Sequence, residues 1–223
     1  MANMRRILMA VAAVCGLWSM ASAQEKYQYN EFYYQRSSLF EVLPVKSDDI
    51  VFFGNSLTNG CEWHELFNNP HVKNRGISSD VIQGLYDRCD VMLKGKPRKI
   101  FLLCGVNDIS HNLSADSIAT AMENLVVHIK ELSPKTKIYL QSLLPINNDF
   151  RRYKAMIGKE DTIVECNKRF EQIAKRQKVT WIDLYSKFAD ENGKMPKKYT
   201  NDGLHLLGPA YLIWRDAVAK YVK

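Results

Sequence analysis

The sequence predicts an α/β domain of three layers, with helices on both faces of a mostly parallel five-stranded sheet. Two observations carry that expectation. Short β-prone apolar runs recur at 50–53, 72–75, 99–104, 137–144 and 179–184, and amphipathic helical patterns separate the later ones. Strands alternating with helices call for parallel pairing and a sheet covered on both sides. The run at 99–104 is apolar at nearly every position rather than every second one, as a strand buried on both faces must be.

The chain opens on a leader pattern. Arg5 and Arg6 precede an apolar stretch at 7–18, then Ala21-Ser22-Ala23, then polar Gln24. This is the order of a secretory signal cleaved after Ala23. The apolar stretch is shorter than the ~20 residues of a spanning helix, so no stable membrane anchor is expected. Lipidation at Cys15 is disfavoured because Val14 stands where a small residue belongs. The expected product is exported, periplasmic or secreted, and 24–223 is the length of one α/β domain. Loss of Arg5 and Arg6 leaves 29 basic against 24 acidic residues, so the formal charge falls from +7 to +5. That excess is spread thinly and is not interleaved with aromatics, which excludes a nucleic-acid footprint. Cys61, Cys89, Cys104 and Cys166 remain, and an oxidising compartment would permit pairing among them, with the pairs left open; their spacing matches no zinc pattern, and Cys104 sits in an apolar run where a buried free thiol is common.

After an aromatic-rich segment at 27–40, the run at 50–53 stops at Gly54-Asn55-Ser56, a strand ending in a turn. The run at 72–75 is closed by Gly76, and that at 99–104 by Gly105 and Asn107-Asp108. From Ser114, the residues Ile118, Met122, Leu125, Ile129 and Leu132 recur at helical spacing, with Pro134 just beyond. A second amphipathic helix is expected at 162–177, and Gly208-Pro209 opens a last one carrying Tyr211, Leu212, Trp214, Val218 and Tyr221.

Ligands of open parallel sheets bind beyond the carboxyl ends of the strands. Ser56, Gly76 and Asn107 follow the first three strands, and Asp202 and His205 lie on the loop entering the last helix. A serine hydroxyl needs a base to take its proton, and His205 can do so. Asp202, three residues earlier, is placed to hold the imidazole in the useful tautomer. An oxyanion then needs donors, for which the Ser56 and Gly76 backbone N–H groups and the Asn107 amide are the candidates.

These segments resemble the SGNH/GDSL hydrolase family, acetylhydrolases of the platelet-activating-factor type above all. The matching blocks are Gly54-Asn55-Ser56-Leu57, Asn74-Arg75-Gly76-Ile77-Ser78, Gly105-Val106-Asn107-Asp108 and Asp202-Gly203-Leu204-His205. The resemblance implies a flavodoxin-like fold, a Ser56–His205–Asp202 triad, an oxyanion hole of Ser56, Gly76 and Asn107, and no metal or organic cofactor. Asn55 departs from the family's Asp, removing a charge beside the nucleophile.

The expected reaction is hydrolysis of short acyl esters, above all O-acetyl groups on a carbohydrate, through an acyl-enzyme. The rival readings are a lysophospholipase or thioesterase for long chains, a catalytically silent carbohydrate-binding module, and a flavin binder. Leu57-Thr58-Asn59-Gly60 is a poor phosphate cradle for the last. Asp183 competes with Asp202 as orienting acid, and Asp108 is read as a brace of the Asn107 turn. His64 and His71 are read as surface histidines. Trp63 and Tyr86 are pocket candidates, with core packing the safer reading.

Overall fold

The computed structural model describes residues 28–223, so the expected leader at 1–23 lies outside the described residues. The strands are β1 (Ile50–Gly54), β2 (Val72–Gly76), β3 (Lys99–Leu103), β4 (Lys137–Gln141) and β5 (Thr180–Ile182). All pair in parallel, in the order β2-β1-β3-β4-β5. The helices in chain order are α1 (Glu31–Val42), the single turns α2 (Ser56–Asn59) and α3 (Trp63–Leu66), α4 (Ile82–Leu93) and the short α5 (Val106–Ser110). Then come α6 (Ala115–Leu132), α7 (Glu160–Gln177), the short α8 (Tyr185–Phe188) and α9 (Gly208–Val222).

Alternation along the strands divides the core in two, as successive side chains must point to opposite faces. Val51, Phe53, Ile100, Leu102 and Leu140 pack with Leu85 and Cys89 of α4, Met122 and Leu125 of α6 and Phe170 of α7. Ile50, Phe52, Phe101, Leu103 and Tyr139 form the opposite cluster with Trp63, Trp214 and Val218. There the rings of Trp63, Phe52, Phe101 and Tyr139 stack across three strands at centroid spacings of 4.0, 4.7 and 4.6 Å. Trp63 is therefore core, while Tyr86 is half exposed and stacks on His128 at 4.5 Å, away from the serine. Cys61, Cys89, Cys104 and Cys166 are all buried and free. Among the described residues no helix is long and apolar enough to cross a membrane.

The α6 helix begins where expected, with Ser114 accepting from the Ser117 N–H, and buries Ile118, Met122, Leu125 and Ile129. Two strands are shorter than the apolar runs suggest, because side chains take over the backbone pairing. Past Gln141, the Ser142 hydroxyl accepts from the Leu184 and Tyr185 N–H groups, and the Asn167 amide binds the Leu143 N–H and C=O at 2.7 and 3.1 Å. The ladder of β4 and β5 stops there.

Candidate active site

The strand order reverses between β1 and β3, and the crevice beyond their carboxyl ends is where such sheets bind ligands. Ser56 leaves β1 on one side of the crevice and Asn107 leaves β3 on the other. The intervening loop 77–81 follows β2. A cavity of about 420 Å³ opens here, walled by Ser56, Ser78, Ser79, Asn107, Tyr153 and His205 among others.

Ser56 is the first residue of α2, whose single turn is pinned by four side chains. Asn55 Oδ1 accepts from the Leu57 N–H at 3.0 Å at its start. At its end, Tyr211 Oη donates to Leu57 O, Trp63 Nε1 to Thr58 O, and Asn74 Nδ2 to the carbonyls of Thr58, Asn59 and Cys61. A turn too short to be stable alone is thus held rigid by its surroundings. Asn55 keeps the capping role an Asp would have, but its Nδ2 is buried and has no partner among the described residues.

His205 Nε2 lies 2.9 Å from Ser56 Oγ, and His205 Nδ1 lies 2.7 Å from Asp202 Oδ2. The carboxylate fixes Nδ1 as the protonated nitrogen, leaving Nε2 to accept from the serine hydroxyl. Asp202 is itself heavily bonded: Oδ1 accepts from the Leu204 and His205 N–H groups at 2.9 and 2.8 Å, and Tyr153 Oη donates to Oδ2 at 2.9 Å. Burial works to raise this carboxyl, but the His205 contact and the other donors prevail and hold it down at about 2. Gly203 makes the loop possible. It has φ +89°, and a Cβ there would sit 2.2 Å from Asn147 O.

Asp183 does not compete for the histidine, because its Oδ1 accepts from the Ser186 N–H at 3.1 Å, in the first turn of α8. Tyr153 was not foreseen. It sits on an irregular stretch between β4 and α7, without periodicity to mark it, and its hydroxyl also lies 3.1 Å from His205 Nδ1. Burial and the neighbouring Asp202 push that phenol up to about 12, so it stays a donor. His64 and His71 are exposed, and His71 lies 3.1 Å from Asp48 and 3.5 Å from Asp49.

The oxyanion donors need one correction. Gly76 does not line the cavity: its N–H donates to Asn74 Oδ1 at 2.8 Å. Its lack of a side chain serves the approach to α2, since a Cβ would stand 2.2 Å from the Asn59 nitrogen. Two residues on, the chain turns into the cavity wall. Ser79 has φ 63°, the left-handed region, and neither the Ser78 nor the Ser79 N–H has an acceptor among the described residues. Asn107 does reach the cavity; one of its amide hydrogens is spent on Asp80 O at 2.8 Å and the other is left over. Asp108 braces as expected, but on α4, accepting from the Ile82 N–H at 3.2 Å.

The profile of the GDSL-like Lipase/Acylhydrolase family matches residues 52–211, more than half of the chain and all of the strand-end loops just described. The chain belongs to this family. The human platelet-activating factor acetylhydrolase IB subunit alpha2 is 26% identical to this GDSL-like chain over 172 residues, 74% of it and 72% of the relative. A GDSL-like lipase of Bacteroides thetaiotaomicron superposes with TM-score 0.74 at 23% identity, covering 85% of this chain and 96% of that one. An acetylxylan esterase of Geobacillus stearothermophilus gives 0.64 at 17%, covering 79% and 94%. These two likenesses are of fold. The GDSL-like family assignment makes the protein an acylhydrolase, an α/β enzyme on a five-stranded parallel sheet.

Proposed function

We propose that the protein is a serine esterase that removes short acyl groups, above all acetate, from a carbohydrate. The observation that carries this reading is the chain of contacts from Ser56 Oγ to His205 Nε2 and from His205 Nδ1 to Asp202, at 2.9 and 2.7 Å, at the wall of the crevice. His205 takes the serine proton as Oγ attacks the ester carbonyl, then returns it to the departing alcohol; water repeats the sequence on the acyl-enzyme. The tetrahedral oxyanion is met by the free Asn107 amide hydrogen, the Ser56 N–H at the start of α2, and the Ser79 N–H in the part first assigned to Gly76. A helix's first N–H groups have no partner within it, which suits Ser56 to this use.

Acetate is favoured because two of the similar proteins, an acetylhydrolase and an acetylxylan esterase, are named for acetyl esters. Serines 78, 79 and 110 line the cavity with Asn107, beside apolar Val106, Met156 and Leu204, so it offers hydroxyl partners to a polyhydroxylated alcohol and apolar surface to a short acyl group. Among the described residues no carboxylate lines the cavity, while Arg152 and Lys154 do, which suits an anionic sugar. Export through cleavage after Ala23 completes the reading, and the mature chain is then expected to begin at Gln24.

The test is hydrolysis of p-nitrophenyl esters from acetate to decanoate by the mature protein and by Ser56→Ala. Fastest turnover of acetate, lost in the variant, supports the reading; preference for decanoate moves the substrate to lipids. Asp202→Ala is expected to lower kcat about 10⁴-fold and Asp183→Ala to leave it within twofold. The reverse order would sink the triad.

A further inference from the structure

The loops that supply Ser56, Ser79 and Asn107 leave three different strands, yet one guanidinium holds them together. Arg88, on α4, is buried and makes three hydrogen bonds. Its Nη2 donates to Gly54 O at 3.1 Å, at the end of β1 and two residues before Ser56. Its Nη1 donates to Arg75 O at 2.9 Å, near the end of β2, and its Nε donates to Asp80 Oδ2 at 2.8 Å. Asp80 ends the loop of Ser78 and Ser79, and its own carbonyl accepts the Asn107 amide at 2.8 Å. Phe53 closes one side of the guanidinium, 4.5 Å from ring centroid to Cζ.

We infer that the buried Arg88–Asp80 pair is a positioning unit for the oxyanion hole, fixing the Ser79 N–H and the Asn107 amide relative to Ser56. This rests on the esterase reading above. The fork geometry is what the task needs. A guanidinium presents several donors in one rigid plane, so the ends of β1 and β2 and the Asp80 carboxylate are set at fixed separations by a single side chain. An ammonium satisfies these acceptors only one or two at a time and imposes no plane. The second tie runs through the backbone: Asp80 N–H donates to Ile77 O, and Ile77 N–H donates to the same Gly54 O that Arg88 holds. A displaced Asp80 carbonyl therefore moves Asn107, while a displaced Asp80 carboxylate frees the loop of Ser79. Arg88 touches neither Ser56 nor His205, so it acts through the donors and not on the proton relay.

The experiment compares wild type with Arg88→Lys and Asp80→Asn, after thermal unfolding has shown which variants are folded. The readouts are kcat and KM on p-nitrophenyl acetate, Ki for phenylboronic acid, whose tetrahedral adduct on serine occupies the oxyanion position, and the Asn107 side-chain amide signal in ¹⁵N-correlated spectra. The expected result is kcat reduced about 10–100-fold, as for catalytic groups displaced by an ångström or less, with KM within twofold. The boronate Ki is expected to rise in proportion and the Asn107 signal to shift. Should both variants fold and keep kcat, Ki and the amide signal near wild-type values, the proposal is overturned. Equal rises in KM and Ki would also overturn it, since a structural role alone weakens both. Ser56→Ala separates the two readings: an unaffected rate there removes the esterase assignment, while the Asn107 signal in Arg88→Lys still decides whether the pair positions that amide.

Discussion

Tyr153 and Asn55 are the two residues at which this chain's proposed site acquires a character of its own. Tyr153 gives Asp202 a donor from outside its own loop, so the carboxylate is held from two directions and the imidazole ring has one resting position. A hydrogen bond to a charged group contributes about 1.5–3 kcal/mol. Tyr153→Phe keeps the ring and removes only that bond, so kcat on p-nitrophenyl acetate is expected to fall about tenfold with KM little changed, as steady-state kinetics will read. Asn55 poses a different problem. Its Oδ1 caps α2, but its amide nitrogen is buried without a partner among the described residues, a loss of about 1–3 kcal/mol. Asn55→Asp retains the cap, replaces the two orphaned amide hydrogens by a single acid proton, and introduces a fully buried carboxyl, whose pKa burial raises above its unfolded value. A raised acid contributes stability below the unfolded pKa and loses it as pH rises through the folded one. The variant is therefore expected to unfold at or above the wild-type temperature at pH 4 and below it at pH 8, whereas Asn55→Ala loses the cap and the orphaned donor together and is expected to show no such pH dependence. Parallel melting curves for Asn55→Asp and wild type across this range would refute the account.

At the scale of elements, the close approach of β2 to α2 and the turn between Asp202 and His205 each demand a glycine. Gly76→Ala places a methyl against the Asn59 backbone, and Gly203→Ala places one against Asn147 O from a positive φ. Neither obstacle is a flexible side-chain end, so each variant is expected to lose more than 2 kcal/mol in urea unfolding; Gly203→Ala alone is expected to displace His205 and lower kcat as well. A Gly76→Ala protein of wild-type stability would show that α2 can slide. The sequence made β1, β3, α6 and α9 legible, because uninterrupted apolar runs and three-to-four spacing survive without knowledge of the tertiary contacts. Ser56, Asn107, Asp202 and His205 were legible as well, since each stands beside a strand end or a helix entry that the sequence marks. The helix α4 went unread, although Ile82, Leu85, Cys89 and Met92 carry its spacing, and with it Arg88. Gly76 was misassigned for a physical reason: a glycine at a strand end serves a close backbone approach as readily as it offers an N–H, and only the third dimension shows Asn59 beside it. Ser79 gave no such signal, because a left-handed backbone at a serine leaves no mark in composition.

The whole molecule carries a conflict between stability and site in its buried carboxyls. Asp80 and Asp108 lie beneath the crevice, and burial lifts both from the usual carboxylate range to about 6, Arg88 pulling Asp80 the other way and the Ile82 N–H restraining Asp108. Asp202 is displaced in the opposite sense, to about 2. For the raised pair, stability is fully present below an unfolded value near 4 and is lost as pH climbs through 6; for Asp202 it is present above 4 and lost as pH falls through 2. The three together favour the folded state most strongly near pH 4. Shifts of this size correspond to on the order of 3 kcal/mol for a deeply buried group. Asp108→Asn keeps the acceptor for Ile82 and removes the titration, so the free energy of urea unfolding is expected to fall by about that much less between pH 4 and pH 6.5 in the variant than in wild type. If the two proteins lose stability in parallel over this interval, Asp108 is ionised throughout and the loop below Asn107 carries its charge without cost. If the variant is the flatter one, a carboxyl bracing the proposed oxyanion hole is charged against its surroundings at neutral pH, and the bond to α4 is held there by the fold rather than holding it.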